Sequence, residues 1–201
     1  MKNSRSLLSF IAVFAAGFLA GIVFSAWKLD SGAKDTPAGE SSAQHSSKRA
    51  ELQDRIAGIE KMLDKNPDNP AALVQLGNDY FDVGNYEKAV AAYAKAIKLE
   101  PGNADAVVDM GIAYRRLGKP ANAATCFRQA LQAKPNHATA LFNLGIVLRD
   151  DLKDYPGALK AWEAFLENAK DSPFSVMVQP WVKQLREKIG EEGAGGGAKK
   201  E

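Results

Sequence analysis

Apolar positions along the chain fall into three regimes. From Leu7 to Leu29 they run almost unbroken (LLSFIAVFAAGFLAGIVFSAWKL), with no acidic residue and no charge before Lys28. From Asp30 to Ser47 (DSGAKDTPAGESSAQHSS) apolar periodicity disappears. From Lys48 onward apolar residues recur at three- and four-residue spacings, the pattern of helices that each bury one face. The first regime can span a bilayer, because about 20 residues rising about 1.5 Å each cross a hydrocarbon core of about 30 Å. Trp27 and Lys28 stand where an interfacial aromatic and a snorkelling lysine are expected. The alternative is a cleaved signal peptide, with Val23 and Ser25 as the small residues before a cut at Ala26, but the run exceeds the roughly 7–15 apolar residues of a signal core. Residues 1–29 are therefore expected to be a retained membrane anchor. Lys2 and Arg5 beside the span favour a cytoplasmic N-terminus and an exported domain. Gly17 and Gly21 form a GxxxG pair through which two such helices would self-associate. Residues 30–47 read as a flexible linker, since their composition buries too little apolar surface to offset the entropy of ordering. Residues 190–201 (GEEGAGGGAKKE) read as a disordered tail for the same reason.

Within the third regime the pattern repeats. Aligning Pro70 with Ala104 and Ala138 lays the chain out at a period of 34 residues. Leu73, Leu76, Gly77, Tyr80, Ala89, Tyr93, Ala96 and Pro101 in the first unit correspond to Val107, Met110, Gly111, Tyr114, Ala123, Phe127, Ala130 and Pro135 in the second. The third opens with Leu141, Leu144, Gly145 and Leu148, then needs one extra residue in its inter-helix turn before Ala158, Trp162 and Phe165. Each unit is thus expected to be two antiparallel helices. The small residues Gly77, Gly111, Gly145, Ala89, Ala123 and Ala158 let the pair approach, and Tyr80, Tyr93, Tyr114 and Phe127 fill the remaining volume. Gly84 and Gly118 end first helices, and Pro101 and Pro135 stop second ones. Ile56, Ile59 and Leu63 share a face of an upstream helix that resembles half a unit. Trp181, Leu185 and Ile189 mark a capping helix over 180–189, opened by Pro180.

These matched positions resemble the tetratricopeptide repeat (TPR) family over about residues 70–171. The run AWEAFLENAKDSPF is similar to the closing repeat of membrane-anchored bacterial members, including those that assist cytochrome maturation. The resemblance implies an all-α helix-turn-helix solenoid over 48–189, with repeats at about 70–103, 104–137 and 138–171. It also implies a concave face, formed by the first helices, that receives an extended peptide or a partner helix. Carried onto this chain, that face comprises Val74, Asn78, Phe81 and Asp82; Val108, Asp109, Ile112, Arg115 and Arg116; and Phe142, Asn143, Ile146 and Arg149. The expected groove has an apolar floor and an arginine rim, which suits a carboxylate ligand because arginine forks bind carboxylates bidentately. A clamp for the acidic tails of cytosolic chaperones is not expected. Of its lysine, asparagine, asparagine, lysine and arginine only Asn78 is kept, with Val74, Asp109, Thr139 and Asn143 at the other places.

Composition narrows the function further. The 26 Lys plus Arg nearly balance the 24 Asp plus Glu, so nothing draws the chain toward nucleic acid. One cysteine, Cys126, and two distant histidines, His45 and His137, supply neither a disulfide nor a zinc or haem site. Asp150, Asp151 and Asp154 read as a solvated turn rather than metal ligands, and Cys126 as a small core residue. No P-loop, dinucleotide fingerprint, GxSxG elbow or HExxH helix occurs. The chain is therefore expected to be no enzyme and to need no cofactor. The expectation is a scaffold of the bacterial inner membrane, its repeat domain periplasmic, that binds a partner protein or peptide and serves envelope complex assembly. A permanent structural subunit of a larger membrane complex is the alternative.

Overall fold

A computed structural model describes residues 38–196, with side chains from 46 to 191. The chain divides into two units, Met1–Ser46 and Ser47–Glu201. The described part of the first is the opening turns of one helix, and the repeats all belong to the second. The apolar run 7–29 with Gly17 and Gly21 lies outside the described residues, and none of the described helices is long and apolar enough to cross a membrane.

All regular structure among the described residues is helical: α1 (Ala38–Lys65), α2 (Pro70–Asp82), α3 (Tyr86–Leu99), α4 (Ala104–Arg116), α5 (Pro120–Ala133), α6 (Ala138–Ile146) running into a π-helical turn (Val147–Asp151), α7 (Tyr155–Asn168) and α8 (Ser175–Gly196). Local chemistry sets the starts. Asn69, Asn85, Asn103 and Asp154 accept, through side-chain oxygens, the otherwise unpaired backbone N–H of Ala72, Lys88, Ala106 and Gly157. Helix α5 lacks such a cap and opens instead on Pro120, whose missing N–H needs no partner there. Gly84 (φ 82°) and Gly118 (φ 67°) adopt the left-handed conformation that ends α2 and α4, which glycine reaches without strain.

Helix pairs α2/α3, α4/α5 and α6/α7 are the three repeats. Each is locked by one first-helix glycine under one aromatic ring: Gly77 under Tyr93, Gly111 under Phe127, Gly145 under Trp162. The glycine thus makes room for a ring, more than for a close approach of two backbones. Phe127 and Trp162 have no exposed surface, and neither do Ala89, Ala123 and Ala158. Cys126 is buried in the same core, where burial pushes its thiol up to about 11. Upstream, Leu52 and Ile56 of α1 are buried. Ile56 packs with Leu76, Tyr80 and Tyr93, so α1 covers the first repeat as the half-unit expectation requires.

Four boundaries differ from the expectations, one being that α8 continues to Gly196, through part of the 190–201 stretch expected to be a disordered tail. The extra residue of the third repeat sits in the last helical turn, not in the loop. Asn85 N–H and Lys119 N–H each reach back to a carbonyl five residues earlier (Tyr80, 2.8 Å; Tyr114, 2.9 Å), whereas Asp154 N–H reaches six, to Leu148 (2.8 Å). A π turn absorbs one residue while keeping Val147 and Leu148 buried, and Lys153 (φ 59°) takes the left-handed place of the glycines. Helix α1 begins at Ala38, inside the stretch read as linker; its first turns extend a helix whose later turns are held by packing. Helix α8 begins at Ser175, so Pro180 lies inside it rather than opening it. The carbonyl that loses its partner belongs to Val176, which faces solvent, while Val178, Val182 and Leu185 bury the opposite face.

Candidate binding cleft

Asn78, Phe81 and Asp82 follow one another at helical spacing on α2, and Asp109 and Ile112 do so on α4. With Tyr93 of α3 they line a cleft of about 310 Å³. Tyr93 links core to surface. Its ring covers Gly77, and its hydroxyl donates to Asn78 Oδ1 at 2.7 Å, which fixes the amide at the cleft floor. Phe81 stands edge-on to Tyr86, with ring centroids 5.2 Å apart, so its position is also held.

The electrostatics of the cleft are acidic. The half-buried Asp109 carboxyl is held above the usual carboxylate range, mainly by burial and further by Asp105, with His137 acting the other way. The Tyr93 phenol is pushed up by burial and then by the charges of Asp109, Asp82 and Asp79. Asp79 itself is spoken for. Its wholly buried carboxylate accepts from Arg55 of α1 at 2.5 and 2.7 Å and from Gln75 at 2.8 Å, and the Arg55 hydrogen bond holds its pKa below the ordinary value. Asp82 and Asp109 have no hydrogen bond or ion pair of this kind to other described side chains.

The remaining residues expected on the concave face lie elsewhere. Val108 is buried at 2% exposure within the core cluster that joins the second and third repeats. Val74 packs half-buried against the first-repeat core. Arg115 is no open rim charge, since its guanidinium holds Asp151 at 2.6 Å; Arg116 is exposed. In the third repeat the expected groove is covered by the C-terminal segment. The Phe142 ring lies 5.1 Å from that of Phe174 and 6.3 Å from that of Trp181. Arg149 pairs with Asp150 at 2.5 Å and sits over the rings of Trp162 and Trp181, at 4.7 and 4.5 Å. Ile146 packs against the core, and the Asn143 amide donates to the Thr139 carbonyl. Two of the three arginines of the expected rim, Arg115 and Arg149, are thus paired within the chain while Arg116 stays exposed, and the open part of the face is the acidic cleft of the first two repeats.

Tyr93 is the lining residue that repeat position alone assigned to the core. Its signal is a hydroxyl where the equivalent residues are Phe127 and Trp162. Among the described residues no group of His, Cys, Asp and Glu has the arrangement of a metal site.

Comparisons with known proteins agree with this architecture. A solved structure of MamA is similar over 73% of this chain and 78% of its own, at 22% identity and a TM-score of 0.63. The first TPR of Spaghetti (RPAP3), bound to the HSP90 peptide SRMEEVD, is similar over 60% of this chain and 95% of its own, at 23% identity and a TM-score of 0.54. The TPR2B domain of yeast Sti1 in a pHsp70 complex is similar over 59% and 97%, at 19% identity and a TM-score of 0.55. Among curated proteins no match was found. Residues 39–173 match the family model described as the cytochrome c-type biogenesis protein H TPR domain, which covers α1 through the end of the third repeat. The chain belongs to that TPR family.

Proposed function

We propose that the chain is a membrane-tethered scaffold that holds a segment of a partner protein in the cleft between α2 and α4, in the assembly of c-type cytochromes at the bacterial envelope. The observation that carries the reading is the convergence of Asn78, Phe81, Asp82, Asp109 and Ile112, from two repeats, on one cleft with both apolar and polar walls. Core packing consumes the repeated aromatic and small residues, so the side chains left to recognise a ligand are those at variable first-helix positions. Two further facts support the setting. The family description names cytochrome c-type biogenesis, and a structural neighbour is seen with a bound peptide. The apolar run 7–29 supplies the tether, with the repeats on the periplasmic side.

The test replaces Ile112 by a photoreactive benzoylphenylalanine in the full chain in bacterial membranes, and separately replaces the exposed second-helix residues Lys95 and Arg128. A discrete partner is expected to crosslink from Ile112 and not from the other two sites. Crosslinks from Lys95 or Arg128 alone would move the site to the convex surface. The same preparation should keep the protein in the membrane fraction through an alkaline wash; release into the supernatant would remove the tether.

A further inference from the structure

We propose that the cleft takes a cationic side chain, a lysine or arginine flanked by apolar residues in an extended segment of the partner. This inference rests on the reading of the cleft given above and adds the chemistry of its ligand. Asp82 and Asp109 face one cavity, with Phe81 and Ile112 as its apolar walls and the Tyr93–Asn78 pair as its floor. The surrounding cations pair elsewhere: Arg55 with Asp79, leaving Asp82 only a longer-range attraction to it, Arg115 with Asp151 and Arg149 with Asp150. Arg116 lies seven residues beyond Asp109 on α4, about 10 Å farther along the helix at 1.5 Å per residue, too far to neutralise it by contact. His137 is engaged with Asp105 at 2.8 Å through Nε2 while its Nδ1 accepts from the Ala140 N–H. Two carboxylates therefore remain without a hydrogen-bonded or ion-paired cation in a concave, partly apolar site, and such a site focuses its field on a ligand of opposite charge.

The shape fits the same ligand. A lysine or arginine carries an apolar stem that packs along Phe81 and Ile112 while its charged head reaches the carboxylates. An acidic segment would instead bring like charges together in the cleft, where no cation is in contact to receive them. The contrast with the HSP90 peptide SRMEEVD seen on the Spaghetti TPR is chemical, because that peptide carries Glu, Glu and Asp against one Arg. The burial that raises the Asp109 pKa is itself consistent with a carboxylate awaiting a counter-charge.

The test is fluorescence anisotropy on the full chain in mild detergent, with labelled peptides Ser-Leu-Val-Lys-Leu-Val-Ser, the same peptide with Glu in place of Lys, and Ser-Arg-Met-Glu-Glu-Val-Asp. The basic peptide is expected to bind at least about tenfold more tightly than either acidic one at low salt, a preference that shrinks as salt screens the charges. The double variant Asp82→Asn, Asp109→Asn should lose that preference while keeping its helicity. Binding of an acidic peptide as tight as that of the basic one overturns the proposal, as does an unchanged preference in the double variant or no binding of any peptide up to millimolar concentration. Phe81→Ala separates the two levels of inference. If it abolishes binding that shows no charge preference, the cleft is the site and only the ligand charge is wrong; if it changes no binding at all, the cleft reading falls as well.

Discussion

Adding one methyl group to this chain should have opposite effects at two helical glycines. At Gly145 a Cβ would overlap the indole of Trp162, falling on the Nε1 edge of the ring. The indole has nowhere to go. It has no exposed surface, stacks against Trp181 with ring centroids 5.0 Å apart, lies under the Arg149 guanidinium, and donates from Nε1 to the Phe142 carbonyl at 3.1 Å. Overpacking a fitted core costs about 1–3 kcal/mol, and displacing the ring endangers a hydrogen bond worth about 1 kcal/mol. Alanine returns about 1 kcal/mol of helix propensity over glycine. Gly145→Ala is therefore expected to destabilise by about 1–3 kcal/mol, or roughly 2–12 °C in Tm at about 2–4 °C per kcal/mol for a domain of this size. At Gly58, on the exposed side of α1, a Cβ meets nothing within 4 Å, so Gly58→Ala keeps only the propensity gain and should raise Tm by about 2–4 °C. Thermal unfolding followed by circular dichroism at 222 nm reads both. Equal Tm values for Gly145→Ala and wild type would show that the ring does not need that space, and a lowered Tm for Gly58→Ala would show that α1 has an unrecognised contact there.

Two further outcomes rest on the same structure. Lys153 holds φ 59° where the other repeats use glycine, so Lys153→Gly should stabilise by roughly 1 kcal/mol, while Gly118→Ala at φ 67° should destabilise by about the same amount, both read by urea unfolding. The buried carboxyls should also respond oppositely to pH. Asp79, held below its ordinary pKa by Arg55, contributes stability that is present above the unfolded value and lost as pH falls through the folded one, so Arg55→Met should lower Tm at pH 7 and by less in acid. Asp109, held above its ordinary pKa by burial, carries a penalty that is complete above its folded pKa and absent below its unfolded one; Asp109→Asn should raise Tm at pH 7 and not at pH 3. A uniform shift across pH in either variant would show that the carboxyl charge is not the cause.

Most of the fold was legible because each repeat writes its own packing twice. The glycine, the ring and the alanine recur at fixed intervals, and a pair of helices can satisfy that spacing in only one register. What the pattern did not show is where helices stop when packing does not demand it. Residues 38–47 contain no proline, and α1 runs through them despite Gly39 and four serines; Pro180 opposes helix more strongly, yet burial of Val178 on its N-terminal side holds the helix together across it. The extra residue of the third repeat was visible as a count, but its place was not. A loop and a π turn both absorb one residue, and the choice fell to keeping Val147 and Leu148 in the core.

The cleft divides along the same line. Spacing within a helix sets which side chains share a face and the TPR resemblance supplied which face is concave, so Asn78, Phe81 and Asp82 on α2 and Asp109 and Ile112 on α4 could be named from the sequence. Which of them remain open depends on what lies beyond, and translating one repeat's exposure to the next fails at the end of an array. The segment after the third repeat lays Phe174 and Trp181 on Phe142 and Arg149. Charge is harder still, because the field of a site depends on pairings the periodicity does not encode. Arg115 meets Asp151, 36 residues away, and Arg149 meets Asp150; both acceptors lie in the π turn created by the single inserted residue. That insertion gathers the carboxylates that pair with Arg115 and Arg149, leaving Arg116 as the exposed arginine of the rim. With those two arginines paired, Asp82 and Asp109 set the sign of the cleft, and a groove expected to attract carboxylates becomes, on the proposed reading, one that attracts cations.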